Sequence, residues 1–303
     1  MLETFRVSVP ASSANLGPGF DAIGLALDLW AHATVRPSAS FAIEFAPGRH
    51  APTNPGFANE ILRGLDQVLG GPRPPVTISV ENSIPLGKGL GASAAGAVLG
   101  LSVGARLAAA PPGEALLAHY ATDLEGHPDN ALPALLGGIV VAAQRTDEPP
   151  AYLRFAPPPA LRAVVVTPHI VLPTAAARAL LPAVYERRDV VFNLQRAALL
   201  AASLACGDLG PLRTATRDRI HQPYRAPLVP GFQAMLELQL PGLLAVALSG
   251  AGPSVLALVT GDGERIGAAL QAEFAREGIE SDVYLLAIST RGARAEPLAE
   301  PRE

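Results

Sequence analysis

Residues 84–96 read Ile84-Pro85-Leu86-Gly87-Lys88-Gly89-Leu90-Gly91-Ala92-Ser93-Ala94-Ala95-Gly96. Gly87, Gly89 and Gly91 let the backbone pass through positive φ and bring its N–H groups close to an anion, because no Cβ stands in the way. Upstream, Val76, Ile78 and Val80 alternate with Thr77, Ser79 and Glu81, the period of a half-buried strand. Downstream, Ser93 opens a proline-free run of Ala, Leu and Val to Ala110, which predicts a helix. The loop therefore joins a strand to a helix N-terminus, where unpaired N–H groups and the helix dipole both favour a bound phosphate. Lys88 is the only lysine in the chain. It reads equally as a point charge for phosphate and as a solvated loop residue. Gly89 follows it in place of Ser or Thr, so the loop is not of the Walker A type.

A chain of 303 residues is long enough for one large or two ordinary domains. Hydrophobic residues make up 49% and charged residues 17%, the balance of a folded, well-cored protein. A net charge of -4 with no basic cluster argues against nucleic acid or an anionic membrane as the partner. Cys206 is the single cysteine, and residues 1–10 include Glu3 and no apolar signal core, so a cytoplasmic location is expected. The most apolar long stretch, Leu243 to Val259, is interrupted by Ser249-Gly250-Ala251-Gly252-Pro253-Ser254 and reads as two short strands around a turn.

From the N-terminus, Phe5 to Val9 alternates as a strand, and Ala11 to Asp21 (A-S-S-A-N-L-G-P-G-F-D) is a polar loop in which Asn15 and Asp21 stand out. Pro47 to Gly56 reads as a connection. The helical run after it, to Leu69, carries Asn59 near its start, open to a capping role or a nucleotide contact. A helix over Glu114 to Leu124 leads into Glu125-Gly126-His127-Pro128-Asp129-Asn130, which offers hard oxygen ligands and hydrogen bonds for a cation or a polar substrate. Pro149 to Pro159 reads as a linker or an edge crossing. Beyond it come a strand at Leu161 to Val166, a short helix at Thr174 to Leu181, and a longer helix that Asp189 is expected to cap. Asn193 and Arg196 share a face of that helix. His221-Gln222-Pro223-Tyr224-Arg225 follows, then helices at Phe232 to Leu240 and Glu264 to Glu277, and a last strand at Asp282 to Ala287. The tail after Ser289 reads as polar and frayed.

Three pieces in order, the Ala11 to Asp21 loop, Pro85 to Ala95 and Leu248 to Ser254, resemble the GHMP kinases, which pass the ATP γ-phosphoryl group to small molecules. Ser12 to Asp21, Glu125 to Asn130, Thr174-Ala175-Ala176-Ala177-Arg178-Ala179-Leu180-Leu181-Pro182 and Pro223-Tyr224-Arg225 are similar to the homoserine kinase branch. The resemblance implies an α+β fold of two domains. One, over 1–157, is an ATP-binding α/β domain with a left-handed βαβ crossover, and the other, over 158–303, is ferredoxin-like. It implies phosphorylation of the L-homoserine hydroxyl on the route to threonine, with ATP and Mg²⁺ as cofactors and a homodimeric assembly. Pro85, Leu86, Gly87, Lys88, Gly89, Leu90, Gly91, Ala92 and Ser93 would wrap the phosphates, and Asn59 would lie near the base. Ser93 and Glu125 would hold the metal. Asn15, Asp21, His127, Asp129, Asn130, Thr174, Arg196 and Arg225 would surround the amino acid, with Asp21, Lys88 and Asn130 closest to the chemistry.

A zwitterion with one primary hydroxyl needs a carboxylate for its amine, arginine for its carboxylate and a neutral polar group for its hydroxyl. These residues supply all three. Ala92 stands where the family commonly has a second serine, at a cost to nucleotide or metal binding of about 0.5–3 kcal/mol. The alternatives are another GHMP kinase, for mevalonate or a sugar, and an inactive protein of the same fold that binds a ligand as a regulator.

Overall fold

The computed structural model describes residues 3–47, 50, 56–145 and 148–298. The Pro47 to Gly56 connection falls largely outside them.

The first layer is a seven-stranded sheet. Its long hairpin is β1 (Phe5–Asn15) with β2 (Gly19–Pro37), followed by β3 (Ala42–Phe45), helix α1 (Gly56–Leu69) and β4 (Val76–Asn82). Val76, Ile78 and Val80 are buried and the residues between them only partly so, as the alternation in sequence requires. Next come α2 (Ala92–Leu107), α3 (Glu114–Glu125), α4 (Pro128–Leu136), β5 (Ile139–Arg145) and β6 (Glu148–Phe155). β2 is one continuous strand of 19 residues. Its Ala31–Pro37 half pairs with β4 and its Ile23–Leu25 portion with β5. The proline-bearing stretch at 148–155 is an edge strand, β6, paired only with β5, as a strand missing N–H donors must be.

Helix α2 is buried nearly all round, which its Ala/Gly/Val sequence permits. Gly100 of α2 faces Gly64 of α1, and a Cβ on either would strike backbone of the opposite helix. The two helices approach this closely because both residues are glycine.

The second layer holds β7 (Arg162–Pro168), α5 (Thr174–Ala179), α6 (Arg187–Cys206), α7 (Leu212–Ala215), α8 (Gln222–Arg225), α9 (Phe232–Glu237), β8 (Leu243–Leu248), β9 (Val255–Val259), α10 (Gly263–Arg276) and β10 (Ser281–Ala287). The strands lie in the order β10-β7-β9-β8, all antiparallel. In chain order this is 4-1-3-2 with helices after the first and third strands, the ferredoxin-like arrangement. Its own core gathers Val164, Val166, Val255, Ala257, Leu270 and Phe274, each side chain larger than Ala contributing about 1.5–3 kcal/mol by burial.

Two expectations are corrected. Asp189 does not cap α6, whose N-cap is Glu186 with no side-chain bond; Asp189 instead pairs with Arg219 at 3.1 Å. The tail is not wholly frayed either, because β11 (Arg294–Pro297) returns to the first sheet and pairs with β1. Backbone groups on the open edge of β1 are satisfied in this way.

Candidate active site

A cavity of about 320 Å³ opens between the two layers. One wall is the glycine loop, with Gly87, Gly89 and Gly91 at φ of +68°, +77° and +65°. Gly91 is the N-cap of α2, so that the free N–H groups of this 16-residue helix face the cavity beside Ala92 and Ser93. The second layer pins the loop from behind. Ser249 Oγ donates to Gly89 O at 2.7 Å and Ser254 N to Lys88 O at 3.3 Å. A Cβ on Gly89 would collide with Ser249 O and Gly252 O, which explains why this loop and the Ser249–Ser254 turn are both rich in glycine.

Beyond the loop, Ser93 Oγ donates to Glu125 Oε1 at 2.8 Å. Glu125 ends α3, and Gly126 turns the chain away at φ +81°. Burial pushes the Glu125 carboxyl above its usual range, with the Ser93 hydroxyl and His127 partly opposing the shift. A half-buried carboxylate with a hydroxyl as its hydrogen-bond partner suits a hard divalent cation, so this pair fits Mg²⁺.

The chain then enters α4, which was not expected from the sequence. Its N-cap is His127, and it carries Asp129 and Asn130 on its first turn. His127 Nδ1 lies 2.6 Å from Asp129 Oδ1. Burial alone would lower the His127 pKa, but the Asp129 carboxylate outweighs it and the net direction is upward. Asn130 Oδ1 accepts from Ser12 Oγ at 2.9 Å, so its amide N–H groups remain for a ligand.

The β1–β2 hairpin adjoins this segment, its Ser12 bonded to Asn130. Asn15, Leu16 and Asp21 adopt left-handed backbone at φ +70°, +49° and +55°. Asn15 holds this geometry by accepting from Asp21 N at 3.0 Å and donating to Gly250 O at 2.9 Å. Asp21 points at Arg178 of α5, which donates to both carboxylate oxygens at 2.8 and 2.9 Å. Arg225 is 2% exposed; its guanidinium reaches Gly250 O at 3.3 Å and lies 3.2 Å from His221 Nδ1. His221 Nε2 is 2.7 Å from Gly17 O and donates to it. Neutral His221 can then accept from Arg225, in keeping with a pKa lowered by burial. Burial, then the neighbouring Arg178 charge, lowers the pKa of Arg225 as well.

Of the residues expected at the site, Asn15, Asp21, Gly87, Gly89, Gly91, Ala92, Ser93, Glu125, His127, Asp129, Asn130 and Arg225 line this cavity. Pro85, Leu86, Lys88, Leu90, Asn59 and Arg196 do not. Leu90 is fully buried in the core, and Asn59 is exposed on the first turn of α1. Lys88 Nζ donates to Pro168 O and Ile170 O. Arg196 stacks on Phe192, its guanidinium carbon 3.2 Å from the ring centre, and donates to Phe192 O. Thr174 opens α5, and its side chain lies outside the described residues.

The cavity also contains Phe20, Arg63, Arg178, Gly250 and Ala251, which were not among the expected site residues. Arg178 sat in plain view in the Thr174 to Pro182 segment, and the signal that finds it is a planar cation one helical turn from the expected threonine.

Residues 57–138 match the pattern described as the GHMP kinases N terminal domain, and residues 196–276 match the GHMP kinases C terminal pattern. The homoserine kinase of Moorella thermoacetica is 42% identical over 293 residues, covering 95% of this chain and 98% of that one. The crystal structure of homoserine kinase from Cytophaga hutchinsonii superposes with a TM-score of 0.81 at 29% identity, covering 98% of each chain. Streptococcus pneumoniae phosphomevalonate kinase has the same fold at a TM-score of 0.67 and 12% identity, covering 94% of this chain and all of that one.

Proposed function

The chain belongs to the GHMP kinases, and we propose that it transfers the γ-phosphoryl group of ATP to the side-chain hydroxyl of L-homoserine, yielding O-phospho-L-homoserine and ADP. One observation carries the choice of acceptor. The Asp21–Arg178 pair and the Ser93–Glu125 pair line a single cavity together with the glycine loop. An amino-acid zwitterion complements the first pair, its ammonium on the free lone pairs of Asp21 and its carboxylate on Arg178 and Arg225. Mevalonate or a sugar has no ammonium to meet Asp21.

The loop N–H groups and the α2 N-terminus take the phosphates. Ser93 and Glu125 would hold Mg²⁺, which when bound neutralises charge on the phosphoryl oxygens. Asn130 orients the homoserine hydroxyl toward the γ-phosphorus. The new O–P bond forms in line as the bridge to ADP breaks, and the hydroxyl proton passes to an oxygen of the transferred group. Asp21 serves as an ammonium anchor, its carboxylate held in place by the Arg178 fork. Catalysis rests on positioning and electrostatics.

A homodimer in the cytoplasm completes the reading. Val190, Val191 and Leu194 are 46%, 45% and 68% exposed along α6, an apolar strip suited to a second copy. By length and composition alone α6 could cross a membrane. Its buried Asn193, which donates to Asp218 at 2.8 Å, ties it into the domain.

ADP release from ATP and Mg²⁺ tests the proposal, with L-homoserine measured beside L-serine, L-threonine, mevalonate and galactose. Turnover with homoserine alone is expected. Turnover with mevalonate or galactose, or silence with every acceptor in protein that binds ATP, overturns it.

A further inference from the structure

The sole lysine of the chain leaves the phosphate cavity. Lys88 sits between Gly87 and Gly89 of the loop, yet its Nζ donates to Pro168 O at 2.9 Å and Ile170 O at 2.5 Å. Pro168 ends β7 and Ile170 lies two residues beyond it, where the chain has left the sheet. From Ile170 the backbone runs through exposed Val171 and buried Leu172 directly into α5. Helix α5 presents Arg178 to Asp21, and its Ala177 O accepts from Arg225 Nε at 3.4 Å. One short connector therefore carries the contacts of both carboxylate-binding arginines, and the Lys88 ammonium grips its first turn.

The remainder of the loop is fixed from the same side. Lys88 O and Gly89 O accept from Ser254 N and Ser249 Oγ. Among the described residues of the loop, only the Lys88 side chain bonds to the connector. An ammonium suits the task, because it can divide its three donors between two carbonyl oxygens.

We propose that Lys88 is a positioning residue: it tethers the phosphate loop to the β7–α5 connector and so holds Arg178 and Arg225 in place for the amino-acid carboxylate. This inference rests on the homoserine reading of the cavity. The tether links the two substrate sites mechanically, so that order in the loop is passed to the acceptor pocket without a lysine–phosphate contact.

The full-length chain with Lys88→Met and Lys88→Arg tests this. Calorimetry gives the Kd for L-homoserine without nucleotide and the Kd for ADP separately, and amide exchange is followed over residues 169–180. In Lys88→Met the homoserine Kd should rise about tenfold or more, the scale of a small misplacement in a binding site. The ADP Kd should move less than about twofold, and exchange over 169–180 should quicken. Lys88→Arg, which keeps the donors, should restore most of the homoserine affinity. A large loss of ADP affinity with homoserine binding intact makes Lys88 a phosphate ligand and overturns the tether. Unchanged homoserine binding with unchanged exchange overturns it too. If the unaltered protein binds ADP but no homoserine, the substrate reading fails, while the exchange measurement still decides whether Lys88 holds the connector.

Discussion

Arg178 meets Asp21 through two parallel hydrogen bonds of 2.8 and 2.9 Å, across 157 residues of sequence. The pair joins the hairpin of the first layer to the short helix α5 of the second and sets out the two charges a zwitterion requires. Both side chains keep partial solvent access, 45% and 33%, so the pair contributes little to stability by itself. Its value lies in orientation.

Arg178→Ala should lower kcat/KM for homoserine about a hundredfold, equal to roughly 2.7 kcal/mol of transition-state stabilisation, with ADP affinity unchanged. Arg178→Lys should recover little, since an ammonium cannot form the two-pronged contact. Arg225→Ala should show the same kinetic loss together with a fall in stability of about 1–3 kcal/mol, because it leaves buried His221 and the Gly250 carbonyl without their donor. Steady-state kinetics and urea unfolding separate the two variants.

Glu125→Gln keeps the Ser93 contact geometry but removes the charge. Activity should fall at least tenfold and its Mg²⁺ dependence shift to higher concentration. An unmoved Mg²⁺ titration would place the metal elsewhere.

The His127–Asp129 pair predicts a pH dependence. His127 is raised above 6.5 in the fold, against the direction of burial, by the Asp129 carboxylate. The stability it contributes is therefore complete below pH 6.5, the unfolded value, and is lost as pH rises through the folded one. In Asp129→Asn the nearest carboxylate is gone and only the Asp21 charge still opposes burial and Arg178, so the His127 titration followed by NMR should drop below the ordinary histidine value. A titration that stays high would assign the shift to another neighbour.

Gly100→Ala should destabilise the chain by about 2–4 kcal/mol, since its Cβ meets the Ile61 carbonyl on α1 and neither backbone can yield. Chemical denaturation reads the effect directly. A variant as stable as the parent would show that the two helices can separate freely.

The local structure was legible in the residues. Alternation gave β4, the glycine loop and proline-free run gave α2, and the broken apolar stretch gave β8 and β9, because strand period, helix propensity and turn chemistry act over a few residues. The three motifs in order carried the family, and the segments Ser12 to Asp21, Glu125 to Asn130, Thr174 to Pro182 and Pro223 to Arg225 carried the acceptor class. What stayed hidden was continuity and direction: that β2 is one long strand, that β11 rejoins β1, that α4 begins at Pro128. Each of these is settled by partners far along the chain.

The same division runs through the site. Sequence by itself determined which residue types stand in each motif: glycines ahead of a helix N-terminus, Ser93 and Glu125, and the carboxylates and arginines. Tertiary structure alone decided which of the charged groups face the cavity. Arg196 was expected there and stacks on Phe192, while Arg178 takes the place opposite Asp21, and Lys88 turns out of the loop toward β7. A long charged side chain can reach several ångströms in many directions from a fixed Cα. The direction it takes depends on the acceptors that packing brings within reach, and those come from distant segments that no local pattern encodes.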